Sequence, residues 1–382
     1  MSAIATKRWP GALTRTVAMF IKEFVQLRRD RLTFGTMIFI PLVQLTLFGF
    51  AINTTPRHLP TAVLAYEDTD VGRSILAALR NTSYFDLVKV VHSEPDMDRL
   101  MRSGRVLFGV EIPAGFERAV RRGDRPALLV AADASDPVAA GTALGALEGT
   151  ITTALARDRG LPETVRATGP FEIRQHRRYN PAAVTSLNIV PGLLGVILTM
   201  TMLIFTALSV TREVERGTME SLLAMPIEPL EIMIGKITPY VVIGFIQAAL
   251  ILTFGTLVFE VPITGSVWLL ALLSTLFIAT NLSIGYTFST VAQNQLQAIQ
   301  MSFMFFLPNI LLSGFMFPFA GMPRWAQVIG ECLPLTHYIR IVRGIMLKGA
   351  DLYDLRMEAI ALLALMLVAM TFAVRRFRRT LD

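Results

Sequence analysis

The residues best placed to do work in this chain are ten consecutive positions, Thr211-Arg212-Glu213-Val214-Glu215-Arg216-Gly217-Thr218-Met219-Glu220. Four charges fall within residues 212–216, Gly217 interrupts them, and Thr218 can cap a new helix bearing a Met219, Leu222, Leu223 stripe. Such a run suits gripping another protein, although composition alone leaves that role level with an ordinary solvated turn. Support for other chemistry is thin. Asp68, Asp70, Asp133 and Asp136 follow strand-like runs and could gather a divalent cation, but acids there more often cap turns and helices, and the expected metal set is none. His58, His92, His176 and His337 are scattered, and neither H-E-x-x-H nor G-x-S-x-G occurs. Cys332 is the single cysteine, which excludes an intramolecular disulfide and a cysteine-held metal. No G-x-x-x-x-G-K-[ST] phosphate loop exists, because Gly235-Lys236 is followed by Ile237. The chain is therefore expected to bind no cofactor and to be no enzyme.

The elements that position these residues are set by charge. Of 382 residues, 53% are hydrophobic and 17% charged, against about 25% charged in a soluble domain. The charges are unevenly spread: residues 53–180 hold 17 Lys and Arg with 16 Asp and Glu. Elsewhere long runs carry none. Residues 32–52, 187–210 and 237–259 are uncharged, and so is all of 261–323, where Gln293-Asn294-Gln295-Leu296-Gln297 marks a break between spans at 268–291 and 298–319. A last apolar run, 359–374, is short, which sets Glu358 and Arg375 at its interfaces. The reading is six spans. Within 53–180, strand-like runs at 61–66, 85–91, 106–112 and 127–132, with a helical pattern over 137–156, predict a small α/β domain.

The net charge of +7 does not require nucleic acid, because the basic excess sits at the two ends of the chain. Basic residues beside spans mark the cytoplasmic face, and with both termini inside and the long 53–180 block left out as a poor topology signal, the cytoplasmic arms and loops hold 14 Lys and Arg against five in the outside connections. The 53–180 block then faces outward and residues 211–236 face the cytoplasm. Ahead of the first span, Val17, Phe20, Ile21, Phe24 and Leu27 repeat at helical spacing, as in a helix lying on the interface. Between the fifth and sixth spans, Trp325, Val328, Ile329, Ile339, Val342 and Ile345 predict short outer-leaflet helices, with Arg324, Arg340 and Arg343 at the headgroups; they read either as an outward gate or as a packed cap. Gln44, Gln247, Asn281, Gln300 and Asn309 are the polar groups expected at helix interfaces or along a pathway. Phe- and Met-rich stretches such as 303–306 and 315–317 suit an apolar or amphipathic cargo, and would look the same facing lipid.

The R-E-x-E-x-G-T-x-E run, continuing through Pro226 and Glu231 to Gly235-Lys236, resembles the cytoplasmic loop of the permease subunits of type-2 ABC exporters of the multidrug-efflux kind. Residues 22–31 resemble that family's connecting helix, and Gly321-Met322-Pro323-Arg324-Trp325 with Leu333-Pro334-Leu335-Thr336 and Arg343-Gly344 its outer segment. The resemblance implies an α-helical integral membrane protein with six transmembrane helices and an α/β extracytoplasmic domain inserted between the first and second spans. Its map is a connecting helix at 1–31, a first span at 32–52, the outward domain at 53–180, five further spans within 181–375, and a tail at 376–382. A coupling loop falls at 211–236 and an outer-leaflet re-entrant segment at 321–357. It further implies docking of a P-loop ATPase at Arg212, Glu213, Glu215, Arg216, Gly217, Thr218 and Glu220, and connecting-helix roles for Lys22, Glu23, Arg29 and Asp30. ATP and Mg would be used by the partner ATPase. A second permease subunit, membrane lipid and a periplasmic adaptor complete the expected partners, in a bacterial inner membrane. Two rival readings stay open at this point: an ion-coupled secondary transporter, disfavoured by spans without ionisable groups, and a membrane-anchored receptor or assembly factor.

Overall fold

The computed structural model describes residues 58–81, 84–156, 171–215, 217 and 229–379. The expected first span and the helix ahead of it lie outside the described residues. Residues 59–178 form a five-stranded sheet, with β1 Leu59–Ala65, β2 Phe85–Val91, β3 Phe108–Ile112, β4 Ala127–Asp133 and β5 Glu172–Arg178 in the order β2-β1-β3-β4-β5. Strand β1 is central because it is apolar on both faces, with Leu59, Ala62, Val63 and Leu64 all buried. It pairs parallel with β2 and β3, β3 runs antiparallel to β4, and β4 runs parallel to β5. Helices α1 Asp70–Asn81, α3 Phe116–Arg122 and α4 Pro137–Ala156 cover one face through Ile75, Leu79, Phe116, Val120, Leu144 and Leu147. Helix α2, Glu94–Arg102, covers the other with Met97, Leu100 and Met101 over Ala62, Leu64 and Ala131. Gly109 makes that close approach possible, since a Cβ there would stand 2.7 Å from Met97 Sδ.

The four expected strands are present within about two residues of their predicted bounds, and the fifth was not expected. Strand β5 reads Glu-Ile-Arg-Gln-His-Arg-Arg, with no apolar alternation. It is an edge strand that owes its place to backbone pairing with β4, and charged side chains are how exposed edges are protected.

The remaining residues are helical: α5 Thr185–Glu215, α6 Pro229–Val258, α7 Val267–Val291, α8 Gln295–Leu312, α9 Arg324–Glu331, α10 Pro334–Lys348 and α11 Leu352–Arg379. Five of these contain stretches long and apolar enough to cross a bilayer, at Thr185–Ser209, Pro239–Val258, Val267–Val291, Gln295–Leu312 and Leu352–Arg375. Helices α5 and α7 touch so closely that a Cβ at Gly285 would lie 2.9 Å from the Leu203 carbonyl oxygen. Helices α6 and α11 are peripheral and turn Leu250, Phe254, Leu257, Ile360, Val368 and Phe372 outward, the surface that lipid would cover.

Three expectations about the outer segment are corrected. The fifth expected span ends at Leu312, short of residue 319, because Ser313 and Gly314 (φ +83°) turn the chain. The last helix starts at Leu352, seven residues before the apolar run read from sequence. Helix α10 is the inner packing element of the bundle: Leu335, Tyr338, Ile341, Val342, Ile345 and Met346 are fully buried against α5, α7 and α11. The Tyr338 ring stacks on Phe277 at 3.9 Å and its hydroxyl shares a 2.7 Å hydrogen bond with Ser274. Arg343 is 9% exposed and so sits away from any headgroup, while Arg324 is exposed. Only α9 matches the outer-leaflet expectation, with Trp325, Val328 and Ile329 outward and Ala326 and Gly330 inward.

Candidate functional site

At the end of the bundle away from the sheet, α5 continues past its apolar stretch to carry the charged run. The Thr211 backbone N–H donates to Ser289 Oγ of α7 at 3.1 Å, fixing the helix where it leaves the apolar region. One turn on, the Glu215 carboxylate accepts from the backbone N–H of Gln295 at 2.6 Å and from its side-chain amide. These two donors hold the carboxyl below the usual carboxylate range. Asn294 caps the same turn of α8, accepting from the Gln297 N–H at 2.8 Å. Glu215 therefore supplies an acceptor to a helix N-terminus, where a negative charge is favourable. Gln295 is the partner that sequence reasoning missed: the Gln-Asn-Gln-Leu-Gln cluster read as a break between spans, and nothing in its pattern named Glu215. Arg212 is exposed, Glu213 lies within α5, and Gly217 takes φ +68°. Arg216, Thr218, Glu220, Lys22, Glu23, Arg29, Asp30 and Gln44 lie outside the described residues.

Inside the bundle, two of the expected polar positions, Gln247 and Asn309, join helices. Gln247 Oε1 of α6 accepts from the Thr201 hydroxyl of α5 at 2.8 Å. Asn309 of α8 is fully buried, and its Oδ1 accepts from the Leu335 N–H at 3.3 Å, meeting an orphan donor at the start of α10. Asn281 is fully buried in α7 and donates to the Phe277 carbonyl at 3.0 Å. Gln300 is half-buried on α8.

The acidic quartet is divided by the fold. Asp68 and Asp70 both pair with Arg73. Asp136 caps α4, accepting from the Val138 and Ala139 N–H groups at 3.2 Å each, and burial pushes its carboxyl up. Asp133 pairs with Lys348 at the end of α10, and the Lys348 ammonium lies 5.5 Å over the Tyr179 ring. Both ends of this pair are buried, so the sheet and the helical bundle are joined by an ion pair away from water. Ala320 packs on the core of the sheet domain and Tyr179 on the core of the bundle, making the junction apolar as well.

A second ionic cluster lies beside it. His337 Nδ1 is 2.5 Å from Glu358 Oε2 and its Nε2 is 2.9 Å from the Glu331 carbonyl oxygen. Arg340 reaches Glu331 at 2.6 Å and Glu358 at 3.2 Å, with its guanidinium 4.6 Å over the Phe319 ring. Burial pulls the His337 pKa down, but the Glu358 carboxylate and the Glu331 carbonyl outweigh it, and the net shift is upward. Acceptors at both ring nitrogens favour the charged imidazolium over the neutral ring. The cluster thus ties Glu331 of α9 and Glu358 of α11 to His337 and Arg340 of α10. Between this cluster and the sheet lies a cavity of about 890 Å3, bounded by Asp133 and Asp136 on the sheet side and by residues 313–324 and α10 on the other.

The chain matches the family model of the ABC-2 family transporter proteins over residues 31–375. It is 29% identical over 337 residues to the "Probable multidrug ABC transporter permease YbhS" of Escherichia coli (strain K12), covering 88% of this chain and 89% of that one. To the "Inner membrane transport permease YhhJ" of the same organism it is 29% identical over 359 residues, 89% and 93% of the two chains. It is 23% identical over 354 residues to the "ABC transporter G family member 20" of Dictyostelium discoideum, covering 91% of this chain but 48% of that protein. A sheet domain joined by a buried ion pair to a bundle of membrane-length helices, matched almost end to end by the family model, makes this chain a multi-pass membrane permease of the ABC-2 family.

Proposed function

We propose that the chain is the membrane subunit of an ATP-driven exporter that moves a hydrophobic or amphipathic substrate, drug-like or lipidic, outward across a bacterial inner membrane. In this reading there are six spans, 32–52 being the first. Both termini and residues 211–236 face the cytoplasm, and the sheet domain faces outward. A separate P-loop ATPase supplies the energy, two permease subunits form the pathway, and ATP and Mg belong to the partner. Relatives named as multidrug and inner-membrane permeases support this reading.

The observation that carries it is the contact between Glu215 and Gln295. A carboxylate at the edge of the charged run holds the first turn of α8, so a partner that displaces residues 212–220 acts directly on a span. The same α8 reaches the outer segment through Asn309 and Leu335. The apolar parts of the five described spans hold no ionisable side chain inward of the Glu358 cluster, which leaves no relay for a coupling ion. The test is purification in mild detergent followed by reconstitution in proteoliposomes. Recovery of a P-loop ATPase, and export of a lipophilic dye that needs ATP, are expected. Export that follows a proton gradient without ATP overturns the reading.

A further inference from the structure

The cavity between the sheet domain and the bundle is lined by charged groups, most of which already have partners. Asp133 is held by Lys348, Glu358 by His337 and Arg340, and Asp136 by the first N–H groups of α4. Arg343 differs. Its side chain is more than nine-tenths buried, yet one terminal nitrogen donates to the Gly314 carbonyl at 3.3 Å and Nε has no partner. No carboxylate lies within ion-pair distance of it among the described residues, although Asp136 and Asp133 act on its charge from further off. A buried N–H left without an acceptor is costly, and the Arg343 side chain lines a cavity large enough to bring further acceptor oxygens to its guanidinium. Arg102 on the sheet side and Arg324 on the bundle side, both exposed and neither in an ion pair among the described residues, stand at the margin of the same cavity. The unmet capacity is therefore that of donors. Phe319, Met322 and Leu355 provide apolar wall beside them.

We propose that this cavity binds an anionic amphiphile, with a carboxylate or phosphate head on Arg343, drawn in past Arg102 and Arg324, and a hydrocarbon body along Phe319, Met322 and Leu355. The inference rests on the exporter reading above for its biological direction and sharpens it by naming a substrate class. Guanidinium is the group best matched to such a head, since its fork offers parallel N–H donors to two oxygens. A neutral or cationic amphiphile offers the Arg343 guanidinium no charged acceptor and so binds less well.

The probe is a photoactivatable oleate, compared with the matched oleyl alcohol, on the full chain in nanodiscs. Oleate is expected to bind saturably and at least about tenfold tighter than the alcohol, the scale of one charge-assisted contact. Its crosslinks should map to residues 313–324 and 339–358. Arg343→Gln should erase that preference and leave the alcohol unchanged. Because Arg343 is buried and its loss could perturb folding, an Arg102→Gln/Arg324→Gln double variant provides a second reading: oleate binding several-fold weaker, with the difference shrinking in high salt. Phosphatidylglycerol that co-purifies and is displaced by oleate identifies a resident bilayer lipid. Oleate binding with no co-purified lipid identifies an incoming cargo. Equal affinity for acid and alcohol, crosslinks confined to the outward faces of α6 and α11, or unchanged oleate binding in both variants overturns the proposal. Oleate binding without ATP-driven export breaks the exporter reading and spares the site; dye export without oleate binding does the reverse.

Discussion

The two ends of the bundle are fastened by different physics. At the sheet end, Asp133–Lys348 is buried, His337, Arg340, Glu331 and Glu358 form a shared cluster, and Ala320 and Tyr179 cross between apolar cores. At the other end, beyond the buried contact of Ala207 with Ala298, the charged run of α5 meets α8 through one carboxylate and one glutamine in an exposed contact. A buried pair is costly to separate because each charge would be left in a poorly solvated site, whereas exposed groups exchange protein partners for water at little cost. The sheet end is therefore the fixed frame and the Glu215 end the movable part. That division fits the proposal that an ATPase acts at residues 212–220.

The largest effect that tests this division is at the frame. Lys348→Met leaves Asp133 charged and buried, and should cost about 3–5 kcal/mol, read as a lowered thermal midpoint of the detergent-solubilised chain. Replacing both partners together, Lys348→Met with Asp133→Leu, should restore most of the loss. A double variant as unstable as the single one would mean that the pair does more than neutralise itself.

Next in size is a pH dependence at the same end. The His337 pKa is raised in the folded chain, so its contribution is fully present below the unfolded value of about 6.5 and is lost as pH rises through the folded value. The thermal midpoint should fall between mildly acidic and alkaline buffer by an amount that His337→Gln removes. Arg340, paired to the same acids, stays charged throughout and keeps Glu358 partnered, which limits the fall. An unchanged slope in His337→Gln would mean that another group carries the dependence.

Much of this was legible in the sequence because uncharged length and strand alternation are local signals. The four apolar strands and the second to fourth spans stand close to their expected bounds. What escaped was decided by tertiary context. Strand β5 has no apolar pattern and exists because β4 presents an open edge. Helix α10 reads as amphipathic, with Arg340 and Arg343 on it, and was placed at the headgroups; it is instead the most buried helix, since Glu331, Glu358 and the Gly314 carbonyl receive those cations from segments distant in sequence. Lys348 and Asp133 are 215 residues apart, beyond the reach of any motif. The charged run at 212–220 was recognisable through resemblance alone, and its grip on Gln295 could not be, because a single acid and a single glutamine have no spacing rule.

The smallest effect on stability is expected at the movable end, and there stability and function should part. Glu215 is exposed, and Glu215→Gln keeps one acceptor for the Gln295 N–H, so the thermal midpoint should not shift measurably. Glu215→Lys removes both acceptors and sets a positive charge on the N-terminus of α8, where the helix dipole disfavours it, yet solvent screens the site and the bundle should still assemble. Transport should respond in graded fashion: Glu215→Gln slows ATP-driven dye export several-fold, and Glu215→Lys abolishes it while the ATPase still copurifies. Glu213→Lys tests the neighbouring acid of the same run. If Glu215→Lys lowers the midpoint as far as Lys348→Met does, the contact belongs to the frame and the division between the two ends fails. If it exports normally, Gln295 is not the route by which residues 212–220 move α8.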